Sequence, residues 1–536
     1  MDLETGEKDA GTAESPNTVA HDRAAVRWPH LGLALSLAAL LVYLCVPTRN
    51  YYWDGVFFAQ LIEDARGLNP NLLLPQKLVY NVLGYVAYAG VRGVVPLSPT
   101  QGGVRALAVL QALNAVLGSL CAWVLFRVLM RTTRSRYASA CLVLLFCFSA
   151  TWWKFATDAN CYIGSVLFLT LAFHALGAEP LPSSFRVGVC HGFAMLLHQW
   201  AVLFLPVAVL GLVIQNFRAS RRRRAGAVLV YVLVAVTMTL PSYYAAFFLQ
   251  HGTGELKGFL NWLTSYAPDA TVSLDLRKNL DATALGYLRL FIGGRVSLMV
   301  QFMGPLSAAV LLLFSAAVAV LAYRTIRFRA DIRSFLRPAR GDRPLRVVGA
   351  LAAVWLASYA GFLFFCGPNK TFYKLFCFPA IIVLLSCFFA RRQQAMTSPR
   401  RYRAALLVCA IALANFALSI FPYSHSEASP PLQFALGLND AWTDRTVVYY
   451  PSFSSDDAFA RYFNPKTTWR WLNMDNLAAF PAEVARESRL GREVWLNTTA
   501  INALTEKKAL PQAWIQDRRE LVNQNHRIRY FRVGPL

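Results

Sequence analysis

The stretch Tyr51-Tyr52-Trp53-Asp54-Gly55 follows the first apolar run of the chain, Leu31–Val46, and its position decides how the rest is read. That run carries no charged side chain, and Arg23 and Arg27 precede it. Positive residues are retained on the cytoplasmic side, so the N-terminus stays inside and Asp54 emerges on the outer face. Tyrosine and tryptophan rings favour the membrane–water interface. An acid among them, with no basic residue at helical spacing, is poorly placed for packing and well placed for chemistry on a lipid-borne substrate.

Outward from this point the composition is that of a membrane protein. Apolar residues make up 56% of the 536 and charged ones 15%. The net charge of +24 does not indicate nucleic acid, because the basic residues fall in short clusters between apolar runs: Arg127–Arg136, Arg218–Arg224, Arg324–Arg346 and Arg391–Arg403. A nucleic-acid binder gathers such residues on one soluble face, whereas a polytopic membrane protein places them in cytoplasmic loops. The ten cysteines lie in or beside apolar runs, with none in the polar C-terminal segment, so neither a disulfide framework nor a zinc knuckle is expected. Residues 1–27 read as a disordered cytoplasmic tail, followed by an uncleaved anchor.

A spanning helix needs about 20 apolar residues. Candidates are Leu31–Val46, Val104–Leu129, Tyr137–Trp153, Cys161–Leu176, Ala227–Leu249, Val296–Tyr323, Val347–Cys366, Leu375–Ala390 and Tyr402–Phe421. Leu78–Val95 is apolar enough to cross, yet a crossing would strand Arg127, Arg131, Arg134 and Arg136 outside; it reads as a helix on the outer surface. Val187–Val213 has cationic residues at both ends and is too short for two full crossings. It reads as a hairpin of two short helices turning near His198-Gln199-Trp200. Broken helices at membrane depth are tolerated where they line a cavity, so a cavity is expected there.

The expected architecture is an all-α polytopic membrane protein of about eleven passes over residues 28–422, counting the hairpin as two. A small extracytoplasmic α/β domain follows over 423–536. In it Thr446–Tyr450, Glu493–Leu496 and Ile528–Val533 read as strands, and Asp456–Tyr462 and Ala482–Ser488 as helices. The outer loops then hold Asp54, Glu63, Asp64, Gln76 and Lys77; Lys154, Asp158 and Asn160; His198 and Gln199; Asn261, Tyr266 and Asp269; and Lys370 and Lys374. Glu63 and Asp64 follow Phe57, Phe58, Leu61 and Ile62 and read as the wet face of an amphipathic helix. Asp158 stands one helical turn from Lys154, which leaves open a simple ion pair.

The order and sidedness of these elements resemble the GT-C superfamily of polyprenyl-phosphate-sugar-dependent glycosyltransferases, especially bacterial relatives of the protein O-mannosyltransferases and the lipid A aminoarabinose transferase. The residues that carry the resemblance are Asp54 after the first span, Leu78-Val79-Tyr80-Asn81-Val82-Leu83-Gly84 as a surface helix, Ala156-Thr157-Asp158-Ala159-Asn160-Cys161-Tyr162 as an acidic loop ending in tyrosine, and Gly192 to Gln199 as a glycine-led hairpin. It runs to about Ala390. The chain departs at Pro75-Gln76-Lys77, where such proteins usually have histidine, and the C-terminal domain resembles nothing identified.

The resemblance implies transfer of a sugar from a polyprenyl phosphate in the outer leaflet to a hydroxyl of a lipid, glycan or protein acceptor. Asp54 would be the general base and Asp158 a second catalytic carboxylate that orients the acceptor. Together the two would offer an optional site for a divalent cation, magnesium or manganese. Lys370 and Lys374 would grip the donor phosphate, and His198, Gln199, Tyr80 and Tyr162 would line the substrate cavity. The expected location is the cytoplasmic (inner) membrane, with no nucleic-acid partner. A transporter or flippase of a lipid-linked or polar substrate accounts equally well for the hairpin, though not for an acid exposed on one side only. A glycan polymerase or ligase shares the topology and the lipid donor.

Overall fold

The computed structural model describes residues 29–94, 105–177, 183–217, 219–265, 272–327, 343–392, 398–451, 454–510, 512–523 and 526–534. The expected tail at 1–27, Tyr266, Asp269 and parts of the basic clusters at 218–224, 324–346 and 391–403 lie outside them.

Among the described residues six helices are long and apolar enough to cross a membrane: Ala106–Thr133, Arg221–His251, Leu276–Met303, Pro344–Phe365, Thr371–Ala390 and Ala404–Tyr423. Arg136–Cys147 and Ala150–Ala156 make a seventh if their 66° bend is counted as one broken span. Ser149, extended at φ −71° and ψ 145°, starts the second piece and ends the straight run expected from Tyr137 to Trp153. Pro29–Cys45 and Tyr162–Leu176 are shorter helices of 17 and 15 residues. Ala106–Thr133 runs through the centre, its apolar stretch 67% buried, whereas that of Arg221–His251 is only 11% buried. The exposed Leu229, Leu233 and Leu240 of the latter form the outward apolar surface that lipid requires.

One expected span is redrawn. Val296–Tyr323 is cut at Gly304, where φ is +52°, and Pro305 follows. The first piece, Val296–Met303, continues instead from Leu276–Phe291. That preceding helix escapes a hydropathy reading because it carries Arg277, Lys278, Asp281 and Arg289. Two other segments take the shapes anticipated. Tyr80–Val94 is a single 15-residue helix. The hairpin is Ser184–Leu197, a break at His198, a 3-10 turn Gln199–Phe204 and Leu205–Gln215.

Beyond Tyr423 the chain builds one five-stranded sheet in the order β2-β1-β3-β5-β4, with β1 Thr446–Tyr450, β2 Thr468–Trp471, β3 Glu493–Asn497, β4 Ile515–Asn523 and β5 His526–Val533. β1 pairs in parallel with β2 and β3, and β5 is antiparallel to β3 and β4. β2 and β4 were not anticipated. They are the sheet edges, one only four residues long and the other strongly charged, and edge strands carry the weakest apolar signal. This domain does not stand apart: Leu432, Ala435, Phe459 and Tyr462 pack in the same core cluster as the transmembrane helices.

Candidate functional site

The site begins where the backbone after the first helix turns into the helix Trp53–Asp64. Gly55 lies against the loop 158–161 so closely that a Cβ there would sit 2.3 Å from the Ala159 carbonyl oxygen. This contact presses the start of the Asp54 helix onto that loop. Two side chains of the central helix hold both segments. Gln111 donates to the carbonyls of Thr48 and Thr157, each at 2.8 Å, and Asn114 to those of Asp158 and Asn160, each at 2.7 Å.

Asp158 belongs to this clamp rather than to an open cavity. It is fully buried, and its carboxylate accepts the Tyr52 N–H on Oδ2 and the Ala159 N–H on Oδ1, both at 2.8 Å. Burial raises its pKa to about 7, against the opposing pull of Lys154 and the two N–H donors. Each oxygen thus already accepts a backbone N–H, which ties Asp158 to the turn before the Asp54 helix and to its own loop. The same geometry does not fit the optional metal shared by Asp54 and Asp158. Among the described residues no group of three or more His, Cys, Asp or Glu is placed to hold a cation.

Asp54 also differs from expectation. Its carboxylate is buried, 7% exposed, and forms a direct ion pair with Lys77. The Lys77 ammonium lies 4.5 Å from the Phe58 ring centroid, so one helix supplies both the carboxylate and an aromatic face for the same cation. Lys77 arrives from the Pro75-Gln76-Lys77 turn, which is strapped to the hairpin break. Gln199 N–H donates to the Gln76 carbonyl at 3.2 Å, Gln199 Nε2 to that of Pro75 at 2.9 Å, and Val79 N–H to that of Leu196 at 3.1 Å. Gln199 Nε2 also reaches the Leu263 carbonyl at 3.2 Å. Its amide nitrogen therefore ties the Pro75 turn to the end of the helix Leu256–Thr264.

His198 sits at the break itself, 2% exposed, with Nδ1 accepting the Trp200 N–H at 3.2 Å and Nε2 buried without a hydrogen-bond partner. It lies within electrostatic range of Lys77. Its ring packs 5.3 Å from Tyr162 and 5.0 Å from Phe376. Tyr162 in turn meets Phe372 at 5.4 Å and Tyr373 at 5.8 Å, and Tyr52 meets Phe372 at 5.2 Å. Asp54, Lys77 and His198 are thus gathered under an aromatic wall. Tyr80 is outside this group: fully buried, it packs edge-on to Phe58 at 5.5 Å inside the core.

The two lysines expected on one helical face are separated. Thr371–Cys377 is a 3-10 turn, in which residues four apart are about a third of a turn out of line. Lys370 is half-buried, 5.9 Å from the Tyr373 ring centroid. Lys374 is fully buried, donating to the Pro368 carbonyl at 2.7 Å and lying against Gly286 and 5.6 Å from the Tyr287 ring centroid.

Lys77 is the main residue missed as a partner of Asp54. The signal was a Gln-Lys pair set between the apolar Leu72-Leu73-Leu74 and Leu78-Val79, at the one turn where the expected family pattern broke. Glu63 was misread as a wet face. It accepts from Arg105, the Ala106 N–H and the Tyr462 hydroxyl, and so docks the C-terminal domain. Chemically, the arrangement offers a carboxylate that becomes a proton acceptor when its ammonium partner moves to another anion.

No protein-family profile matches the chain, and no curated protein sequence matches it. Solved structures do. The chain is similar in fold to ArnT from Cupriavidus metallidurans bound to undecaprenyl phosphate, with a TM-score of 0.53 at 12% identity over 94% of this chain and 99% of that one. The apo state of the same protein gives 0.54 at 13% identity over 96% and 100%. The two chains share one fold along nearly their whole length.

Proposed function

We propose, from this shared fold, that the protein is an integral membrane glycosyltransferase moving a hexose or pentose from a polyprenyl-phosphate donor to an acceptor hydroxyl, with inversion. The acceptor is a lipid, glycan or protein on the outer face of the cytoplasmic membrane. The observation that carries the reading is the buried Asp54–Lys77 pair beside the His198 break, on a fold shared with a protein seen with a polyprenyl phosphate.

In the resting protein Lys77 neutralises Asp54. A donor phosphate competes for the ammonium, and as Lys77 turns to it the Asp54 carboxylate is released. Asp54 then takes the proton of the acceptor hydroxyl while that oxygen attacks the anomeric carbon from the face opposite the lipid phosphate. The bond from that carbon to the phosphate oxygen breaks, its electron pair stays on the phosphate, and Lys77 offsets the growing charge. Lys370 and Lys374 are the further cations for this phosphate. Lys374 reaches it only if its contact with Pro368 opens.

The test is purified protein with labelled polyprenyl-phosphate sugar. A transferase consumes the donor and releases the lipid phosphate, whereas a transporter leaves the donor intact. Asp54→Asn lowers turnover by about 10²–10⁴-fold if Asp54 is the base, and unchanged turnover with saturating donor removes it from the mechanism. Lys77→Met raises the donor KM and lowers kcat, because the leaving group's charge grows in the transition state. Lys374→Gln costs more than Lys370→Gln. Wild-type kinetics in both variants would place the phosphate elsewhere, with Lys77 or Arg295 the next candidate.

A further inference from the structure

The C-terminal domain carries a charged cluster that the mechanism leaves unused. Glu487, on the helix Phe480–Arg489, is 1% exposed, and three arginines from separate parts of the domain close on its carboxylate. Arg470 of β2 donates to Oε1 at 2.5 Å, Arg486 of the same helix to Oε1 at 3.3 Å, and Arg492, just before β3, to Oε2 at 2.9 Å. One guanidinium neutralises one carboxylate. Three leave an excess of two positive charges, since Glu483 and Arg489 on the same helix offset each other. Unlike the acid they surround, these arginines are open, with side chains 31%, 62% and 39% exposed. A guanidinium has five N–H donors, so each keeps several for another anion. The buried glutamate acts as an anchor that holds the three cations together against their repulsion.

The apolar side chains beside the cluster indicate what it meets. Among the described residues after Tyr423, the two most open large hydrophobic side chains are Trp471 and Leu490, at 62% and 61% exposed. Both belong to this face. Trp471 follows Arg470 at the end of the edge strand β2, and Leu490 stands between the arginine-bearing helix and Arg492, its N–H given to the Glu487 carbonyl at 3.0 Å. Arginines mixed with exposed tryptophan and leucine suit a phospholipid surface, where the cations meet phosphates and the apolar groups enter the interface. We infer that this face of the C-terminal domain rests on the membrane and holds the phosphates of anionic lipid headgroups. The domain is tethered for it: the last span ends at Tyr423, and Leu432, Ala435 and Phe459 pack in the core cluster of the spanning helices. A soluble anion satisfies the arginines but leaves Trp471 and Leu490 in water. The lipid site is separate from the Asp54–Lys77 pair and does not rest on the transferase reading.

Hydrogen–deuterium exchange of the full-length protein in nanodiscs tests this, read in the peptides covering residues 468–474 and 480–492. The discs are phosphatidylcholine alone or phosphatidylcholine mixed with phosphatidylglycerol, and glycerol phosphate added to the neutral discs is the soluble control. The anionic discs should slow exchange in both segments by about fivefold, the effect of roughly one cation at a charged surface. Arg486→Gln removes the most open arginine and leaves Glu487 paired with the other two, so the fold is kept while most of the protection is lost. Leu490→Ser, at an exposed position, should lose part of it with unchanged thermal unfolding. The inference is overturned if the two kinds of disc give the same exchange, or if both variants keep wild-type protection. Equal protection by glycerol phosphate in neutral discs also overturns it, in favour of a site for free phosphate esters.

Discussion

Replacing Lys77 by methionine keeps the aliphatic stem that packs on Phe58 and deletes the charge that Asp54 faces. Both side chains of the pair are 10% exposed. Removing one partner of a buried pair costs about 3–5 kcal/mol, because the remaining charge is left uncompensated. Some access to solvent places Lys77→Met, and equally Asp54→Asn, near the lower end, at about 3 kcal/mol. The double variant Asp54→Asn with Lys77→Met buries no lone charge and should lose much less than the sum of the two. The expected coupling is about 2–3 kcal/mol in favour of the pair. Equilibrium unfolding of all four proteins in mixed micelles measures it. Single losses that simply add, within about 0.5 kcal/mol, would show that the pair is not held out of water, and the resting state drawn above would be wrong.

Gly55→Ala places a Cβ 2.3 Å from the Ala159 carbonyl oxygen, so the Asp54 helix must shift; a loss of about 1–3 kcal/mol is expected in the same unfolding assay, and a neutral effect would contradict the close contact. Asp158 is raised from 3.8 to about 7 by burial, so the folded protein holds a proton that the unfolded chain releases. Its contribution to stability is present below pH 4 and is lost as pH rises towards 7; Asp158→Asn should flatten that slope, and an unchanged slope places its origin elsewhere. A reporter active only in the cytoplasm, fused after Leu536, should be silent if the C-terminal domain lies outside the membrane, and strong activity would reverse the loop assignment.

Part of this architecture is readable from local pattern alone. Runs such as Val104–Leu129 and Ala227–Leu249 reappear as Ala106–Thr133 and Arg221–His251, because lipid imposes a long stretch of one character that needs no knowledge of neighbours. The hairpin break at His198 followed from cationic residues at both ends of a run too short for two crossings. The inner strands Thr446–Tyr450 and Glu493–Asn497 are buried and nearly continuously apolar, as parallel strands covered on both faces are. Leu276–Phe291 escaped for the opposite reason: its four charges hide its helix from an average over hydropathy.

The site was legible as a set of residues and not as a set of bonds. Asp54, His198 and Tyr162 stand out by type and position, and the structure does bring them around one turn. That Asp54 is neutralised by Lys77 depends on a turn 23 residues away, strapped to the hairpin by Gln199. That Asp158 serves the backbone depends on Gln111 and Asn114 clamping its loop from the central helix. Glu63 meets Tyr462 across 399 residues of sequence. The sequence by itself determined most of the long apolar helices, since transfer into lipid is a property of each segment on its own. Only the tertiary structure decided which carboxylate is paired, which is clamped and which joins the two domains. A charge near the membrane has several partners within reach, and packing of distant segments selects among them.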